Sequence, residues 1–553
     1  MKRTFPRTRA RRKLLPLALL LAFDALAGAA HAGEIDAGDS DVKIRWDNTL
    51  KYSLAGRVKR PSAALIEGSD AANSDDGDRN FHRGLISNRV DLLSELDITA
   101  GNVGGRISGA AWYDTVYNRD TANASPFTYN ALSVPYTRFP EQTRNLHGRR
   151  AELLDAFVYL KGDVGGMPGI LRLGKHALVY GETLFFGSNG IAYAQQPVDI
   201  VKLLSVPSTQ FKELIRPVSQ LSGQVQLRPN LTLGGYYQFR WAENVLAGSG
   251  SYFSSLDVFP TGGERLFTGP QSADVRAPDL KPKNSGQGGV QLKWTPEGSN
   301  VDLGFYAARY HDKSPELVVS PATSTFRWAY GENVKTYGVS ASTTFGDFNV
   351  ASELSVRRNT PLVASGSADL FGIVPVQFGG PAAPGNNTDN PAYPVGNSAH
   401  LNISTLATLP QNVIARESTL LGEIAWNRLT SITRNASQLD ANATRDAWGF
   451  RAVYTPSYRQ VANGLDIDVP FGLSYYPKGK SSVVTAFGVD KGGDMSIGIN
   501  GTYLSQWYVN LGYTHYYGPE GVAAVAHGAG TVFTFKQSLK DRDYVSLSVR
   551  RTF

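Results

Sequence analysis

The chain has 553 residues, 42% hydrophobic and 19% charged, with 57 Gly, 26 Tyr, 25 Phe and no Cys. The missing Cys excludes a disulfide scaffold, a zinc ribbon and any thiol nucleophile, and a mean hydropathy of −0.23 argues against a polytopic helical membrane protein. The formal charge of +7 misleads, because Lys2, Arg3, Arg7, Arg9, Arg11, Arg12 and Lys13 precede an apolar run from Leu14 to Ala30 and then Ala30-His31-Ala32. This is the pattern of a Sec-type secretory signal cut after Ala32. Residues 33–553 then hold 48 Lys and Arg against 47 Asp and Glu, so no nucleic-acid partner is expected. A membrane anchor over 14–30 is disfavoured by its shortness and by Asp24, which would cost about 2.5–3.5 kcal/mol at mid-membrane.

From residue 42 onward the dominant signal is strict alternation. Val42, Ile44, Trp46, Leu50, Tyr52 and Leu54 alternate with Lys43, Arg45, Asp47, Lys51 and Ser53, which is period two over about fifteen residues and predicts a strand with one oily and one wet face. Such a strand is far longer than the globular norm of about five or six residues. Similar segments follow at 88–99, 104–117, 150–161, 169–176, 218–227, 231–241, 286–294 and 301–310. The series continues at 335–345, 348–357, 401–409, 413–426, 447–456, 465–476, 494–504, 507–516 and 543–553. The links between them alternate long and short: 57–87 is long, 100–103 short, 118–149 long, 162–168 short, 177–217 long, 228–230 short. Outer-membrane barrels have an even number of strands, short periplasmic turns and long external loops.

The last segment puts Val545, Leu547, Val549 and Phe553 on one face, with Arg551 as a basic intruder able to snorkel at a membrane boundary. In hydrocarbon every backbone N–H and C=O must be paired, so a sheet there has to close on itself. The expected fold is therefore all-β, a transmembrane antiparallel barrel of about 18 strands (16–18) with one inward-folded loop. Residues 33–553 form this barrel, residues 1–32 being the cleaved signal, and its place is the outer membrane of a Gram-negative cell.

Motifs for chemistry are weak. Gly169 to Lys175 spells G-x-x-x-x-G-K, but His176 stands where a Ser or Thr would ligate magnesium, and the stretch reads as strand. His82, His147, His176, His311, His400, His515 and His527 form no H-E-x-x-H and no i, i+4 pair, and no G-x-S-x-G elbow occurs. His82, His147, His311 and His400 fall in expected external loops. No enzyme activity, catalytic residue, metal site or cofactor is predicted.

The unusual segment is 177–217. An external loop should be polar, yet this one carries Tyr180, Phe185, Phe186, Ile191, Tyr193, Ile200-Val201 and Leu203-Leu204. Burial in the lumen answers this, giving a constriction or substrate contact built from Tyr180, Glu182, Phe185, Phe186, Asn189, Tyr193 and Asp199. The alternative is packing at the barrel mouth. Lys43, Arg45, Asp47, Lys51, Arg172, Lys175 and Arg240 are expected to face the lumen, with Arg172 and Lys175 as partners for the loop acids.

Gly174-Lys175-His176, Tyr180-Gly181-Glu182, Pro197-Val198-Asp199, Lys212-Glu213, Tyr236 to Trp241, Gly250-Ser251-Tyr252-Phe253 and Asp541 to Ser546 together resemble the proteobacterial family known as "domain of unknown function 1302", over roughly 40–553. Tyr180 replaces a usual Trp and Arg240 a usual acid, departures that bear on substrate preference. The resemblance implies an outer-membrane β-barrel, often encoded beside lipid or steroid catabolism genes and lipid-handling transporters. The function expected is uptake of small hydrophobic or amphipathic organic molecules. The alternatives are a barrel enzyme acting on lipid and a lipid-handling partner of a periplasmic or inner-membrane transporter. Expected partners are outer-membrane lipids, the barrel assembly machinery, a small-molecule substrate and periplasmic lipid-transport proteins.

Overall fold

Residues 33–35, 41–207, 209–364, 366–485, 487–527 and 530–553 are described by a computed structural model; the expected signal, residues 1–32, lies outside them. Eighteen strands form one closed antiparallel wall. They are β1 (Val42–Arg57), β2 (Gly84–Ala100), β3 (Val103–Asp114), β4 (Arg149–Val164), β5 (Met167–His176) and β6 (Val218–Arg228). Then come β7 (Leu231–Gln238), β8 (Gln287–Trp294), β9 (Asp302–Tyr310), β10 (Val334–Phe345), β11 (Phe348–Pro361) and β12 (Val395–Leu409). The last six are β13 (Glu417–Arg434), β14 (Asp446–Ala462), β15 (Leu465–Asp468 continued by Phe471–Lys478), β16 (Gly493–Tyr503), β17 (Trp507–Tyr517) and β18 (Tyr544–Thr552). Pro470, which has no N–H for the ladder, interrupts β15. Each strand pairs with its sequence neighbours, and β1 pairs with β18 from Thr49↔Thr552 to Arg57↔Tyr544. The C-terminal Phe553 adds two bonds at this seam: its N–H donates to Asn48 O (2.9 Å) and its carbonyl accepts from Asn48 N–H (2.8 Å).

All eighteen expected segments are strands. The differences lie at their ends: β12 begins at Val395, ahead of 401, because Asn397 and Ala399 carry no apolar signal on the outward row, and β13 runs on to Arg434. His400 consequently lies within the wall rather than in a loop. The link between β4 and β5 shrinks to Gly165-Gly166, both at positive φ (63° and 80°), a turn that L side chains would strain. Links at one end of the barrel have at most seven residues, and those at the other have at least eleven.

The alternation sorts the faces. On the outside Val158 is 57% exposed, Val290 54% and Leu354 47%, forming an apolar belt that no soluble monomer would present to water. On the inside Ser53, Glu95, Gln220, Glu353, Asn402, Glu423 and Ser548 are buried under other protein groups. Arg551 stays on the outer row, where its guanidinium stacks on Trp507 at 4.9 Å beside a short turn. Lys43 and Arg45 are exposed near the short-turn end of β1, where Arg45 pairs with Asp47 at 2.8 Å. A row of cations turned to mid-membrane would cost about 2–4 kcal/mol each. Aqueous thiol reagents should therefore label Arg45→Cys faster than Ile44→Cys in outer-membrane vesicles; the opposite order would invert the wall.

The two largest aromatic cores sit in the long loops, while a smaller cluster of Leu93, Ala110, Trp112 and Leu154 lies on the wall itself. Phe81, Tyr117, Phe139, Tyr252 and Phe253 cluster across three loops. Leu266, Leu317, Phe326 and Trp328 form a second cluster on a five-stranded mixed sheet of Arg265–Gly269, Ser272–Arg276, Glu316–Ser320, Thr325–Ala329 and Ser367–Ala368.

Candidate functional site

The link between β5 and β6 folds inward and crosses the lumen. Its ends stand on adjacent strands, yet its middle is bonded to β11, β12 and β13 on another part of the wall. The Glu423 carboxylate on β13 accepts three consecutive N–H groups, those of Leu184 (3.1 Å), Phe185 and Phe186 (2.9 Å). The Glu353 carboxylate on β11 accepts from Glu182 N–H and Ile191 N–H, both at 2.8 Å. Gly181 (φ 102°) and Gly190 flank that carboxylate so closely that a Cβ on either would lie 2.5 Å from one of its oxygens. Arg357 donates to the Ser188 and Gly190 carbonyls at 2.9 Å. Asn189 is wholly enclosed: its amide donates to Asn402 Oδ1 (2.9 Å) and Trp426 O (3.1 Å), and its oxygen meets His400 Nδ1 (2.9 Å).

The returning half is held on the opposite side. Asp199 caps the helix Ile200–Ser205, accepting from Lys202 N–H at 2.8 Å. Burial pushes its carboxyl up against the pull of Lys202 and Arg216. Lys202 and Arg216 both reach Glu152 on β4, at 3.2 and 2.9 Å; Lys212 pairs with Glu95 on β2, and Lys51 on β1 donates to Pro207 O at 3.4 Å. Buried charges survive only when paired in this way.

The aromatic residues anticipated from sequence lie in this segment, most of them against the wall or neighbouring loops. Tyr180 packs on Tyr236 and Tyr306 (5.6 and 6.5 Å). Phe186 packs on Phe487 and Tyr476 (5.7 and 6.1 Å). Tyr193 packs on Tyr310 (5.8 Å) and donates its hydroxyl to Asp312. Phe185 is only half-buried, under the Arg451 guanidinium at 5.6 Å.

Three expectations need correction. Arg172 and Lys175 are not the partners of the loop acids: Asp199 pairs with Arg216, on the loop's own return (3.3 Å), and Glu182 with Lys293 on β8 (3.4 Å). Lys175 does not share the lumen row of Arg172, because an odd spacing along a strand changes face; it stands opposite Ala156 and Ser219, and its amine donates to Leu153 O. Arg240 lies beyond the end of β7 at Gln238, exposed in the following loop.

Groups that sequence did not single out complete the site. Beside the returning half lies a shallow solvent-connected crevice with room for about one water, lined by Lys51, Asp91, Trp112, Lys202, Glu213 and Arg550 among others. The Trp112 ring carries Arg89 at 4.7 Å and Lys202 at 5.1 Å. Alternation alone placed Lys51 here; the rest required the three-dimensional return of the loop.

Two Ser–His contacts were also unforeseen, Ser222 with His176 (2.7 Å) and Ser398 with His400 (2.8 Å). Each His has a second partner that is not an acid, the Gly174 carbonyl or the Asn189 amide. All four side chains are buried, so neither pair presents a nucleophile to a substrate.

Residues 13–553 match the family described as "Protein of unknown function (DUF1302)". The chain belongs to this family. No curated protein matches it. Among solved structures it resembles vanillate-bound OpdK of Pseudomonas aeruginosa, at 9% identity, covering 94% of this chain and 100% of that one with a TM-score of 0.41. It also resembles OccAB4 of Acinetobacter baumannii (12% identity, 92% and 98% covered, TM-score 0.41). A third is the outer membrane channel DcaP of Acinetobacter baumannii (8% identity, 95% and 100% covered, TM-score 0.37). The likeness of this DUF1302 barrel to all three is one of architecture alone.

Proposed function

We propose that this DUF1302 protein is an outer-membrane channel of a Gram-negative cell that admits small hydrophobic or amphipathic organic molecules. The observation that carries the reading is the 177–217 segment, tied to both sides of the lumen by Glu353 and Glu423 on one and by Glu95 and Glu152 on the other. A segment held in this way narrows an eighteen-stranded lumen that would otherwise be a wide aqueous pore. An amphipathic cargo fits the wall beside the segment, which sets Trp112, Leu93 and Ala110 next to Lys51, Lys202 and Arg550. Ordinary solute sites combine an apolar lining with a few polar groups in the same manner.

Deleting 183–194 should raise non-specific ion conductance in planar bilayers and reduce uptake of an aromatic carboxylate relative to a sugar of similar size. Unchanged conductance with uptake intact would show that the segment does not constrict.

A further inference from the structure

Away from the lumen, the loop layer holds three carboxylates that its own cations do not balance. Asp75 and Asp76 belong to the loop 58–83 and Asp257 to 239–286. One oxygen of each lies within 4.8 Å of the other two, and the residues are at most 2% exposed. Asp76 N–H donates to Asp257 Oδ2 (3.0 Å), while the Asp76 carboxylate accepts from Asn123 Nδ2 (3.2 Å) and Asn130 N–H (3.0 Å). Arg79 pairs with Asp75, and the nearby Arg542 is engaged by Asp78. One cation for three carboxylates leaves two negative charges in a buried site, an arrangement that protein interiors do not tolerate uncompensated.

A second feature is independent of the acids. Asn80 Oδ1, Asn130 Oδ1 and Ser251 Oγ, on residues at most 4% exposed, accept no hydrogen bond, and neither do Asp75 Oδ1 and Asp257 Oδ1. These residues adjoin the acids: Asn130 bonds Asp76 through its own N–H, and Asn80 donates to Gly250 O (2.8 Å), whose residue would put a Cβ 3.6 Å from that of Asp76. Unsatisfied oxygens of carboxylates, carboxamides and a hydroxyl are thus buried on the acids and on the residues beside them.

We propose that this cluster is a calcium site that ties the loops 58–83, 115–148 and 239–286 together at the barrel mouth. Calcium takes six to eight oxygen ligands in irregular geometry, whereas magnesium demands a small octahedron and keeps its waters. A divalent ion supplies the two missing charges. The sequence hid the site because Asp257 lies 181 residues from Asp76.

The test uses the full-length protein in detergent, stripped with EDTA and dialysed against calcium or magnesium. We expect about one calcium per chain by atomic emission, and tryptic cleavage of the loop 58–83 slowed about tenfold when calcium stands at ten times its Kd, with no such protection from magnesium. Asp257→Asn, similar in size, should lose both effects while keeping the heat-modifiable gel mobility of a folded barrel. No retained calcium, equal cleavage in EDTA and calcium, or full protection in Asp257→Asn would overturn the proposal. Protection that follows acid pH and ignores calcium would also overturn it, because shared protons would then be the compensation. Should the variant fail to fold, the wild-type calcium content and cleavage decide alone.

Discussion

Asp78→Asn is expected to destabilise the closed mouth by about 3–5 kcal/mol, the usual cost of breaking a buried ion pair from one side. Asp78 lies between two guanidiniums, Arg57 at 2.7 Å and Arg542 at 2.9 Å, with side chains that are 0–1% exposed. Arg57 also meets Asp541 (2.8 Å), and Arg542 donates to the Tyr252 and Ser254 carbonyls at 2.6 Å. The end of β1 and three separate loops are thus joined through one carboxylate. Burial acts to raise the Asp78 carboxyl, but Arg542 and Arg57 outweigh it and hold it below the usual range. A depressed folded value contributes stability that is present above the unfolded carboxylate range near about 4 and is lost as pH falls through the folded value. Limited proteolysis and amide exchange of the 58–83 and 518–543 loops should accelerate in the variant at neutral pH, and in the wild type only under strong acid. Equal protection of variant and wild type at pH 7 would mean that the two arginines find other partners.

The second large effect concerns conduction. Glu423→Ala removes the acceptor of three backbone N–H groups, and each left buried and unpaired costs about 1–3 kcal/mol. The Phe186 end of the 177–217 segment should leave the far wall, giving a several-fold rise in single-channel conductance with the barrel intact on gels. Glu423→Gln, which keeps an acceptor oxygen without the charge, should fall between. Ser404→Ala supplies the control, since among the described residues Ser404 gives the segment a single side-chain hydrogen bond, to Glu182 O (3.1 Å). Conductance unchanged in Glu423→Ala would show that Glu353 and Asn189 hold the segment by themselves.

The wall was legible in the sequence because its two faces meet opposite solvents, and a period of two records that at every strand. Strands blurred only where the outward row holds small or polar residues, as at Asn397 and Ala399. The inward loop was legible from a misfit, Phe185, Phe186 and Tyr193 in a stretch that water should have made polar. Its anchors were not. Glu353 and Glu423 lie 171 and 237 residues from the N–H groups of Glu182 and Phe186 that they bind, and one inward acid on a strand looks like any other. Guessing the nearest cations, Arg172 and Lys175, failed because proximity along the chain says little once a segment doubles back: Arg216 returns to Asp199 and Lys293 arrives from β8. The residues that carried the resemblance fall mainly in the inward loop and the mouth. Tyr252 and Phe253 pack there, and Arg542 and Asp543 bond the loops there.

The seam between the first and last strands has a consequence for how the molecule is made. Thr49 meets a neighbour 503 residues away, Thr552, so at about 5–20 residues per second synthesis alone separates the two edges by roughly half a minute to two minutes. Residues 33–35 cover this edge of β1 only at 44–46, so over that interval its stretch 49–57 has no strand of its own chain to pair with, and such an edge is a template for aggregation. The nine residues Tyr544–Thr552 therefore act as the clock of biogenesis. Until they arrive both β1 and β17 are open, and a chain truncated before them would emerge as a curled sheet with two reactive margins in place of a pore.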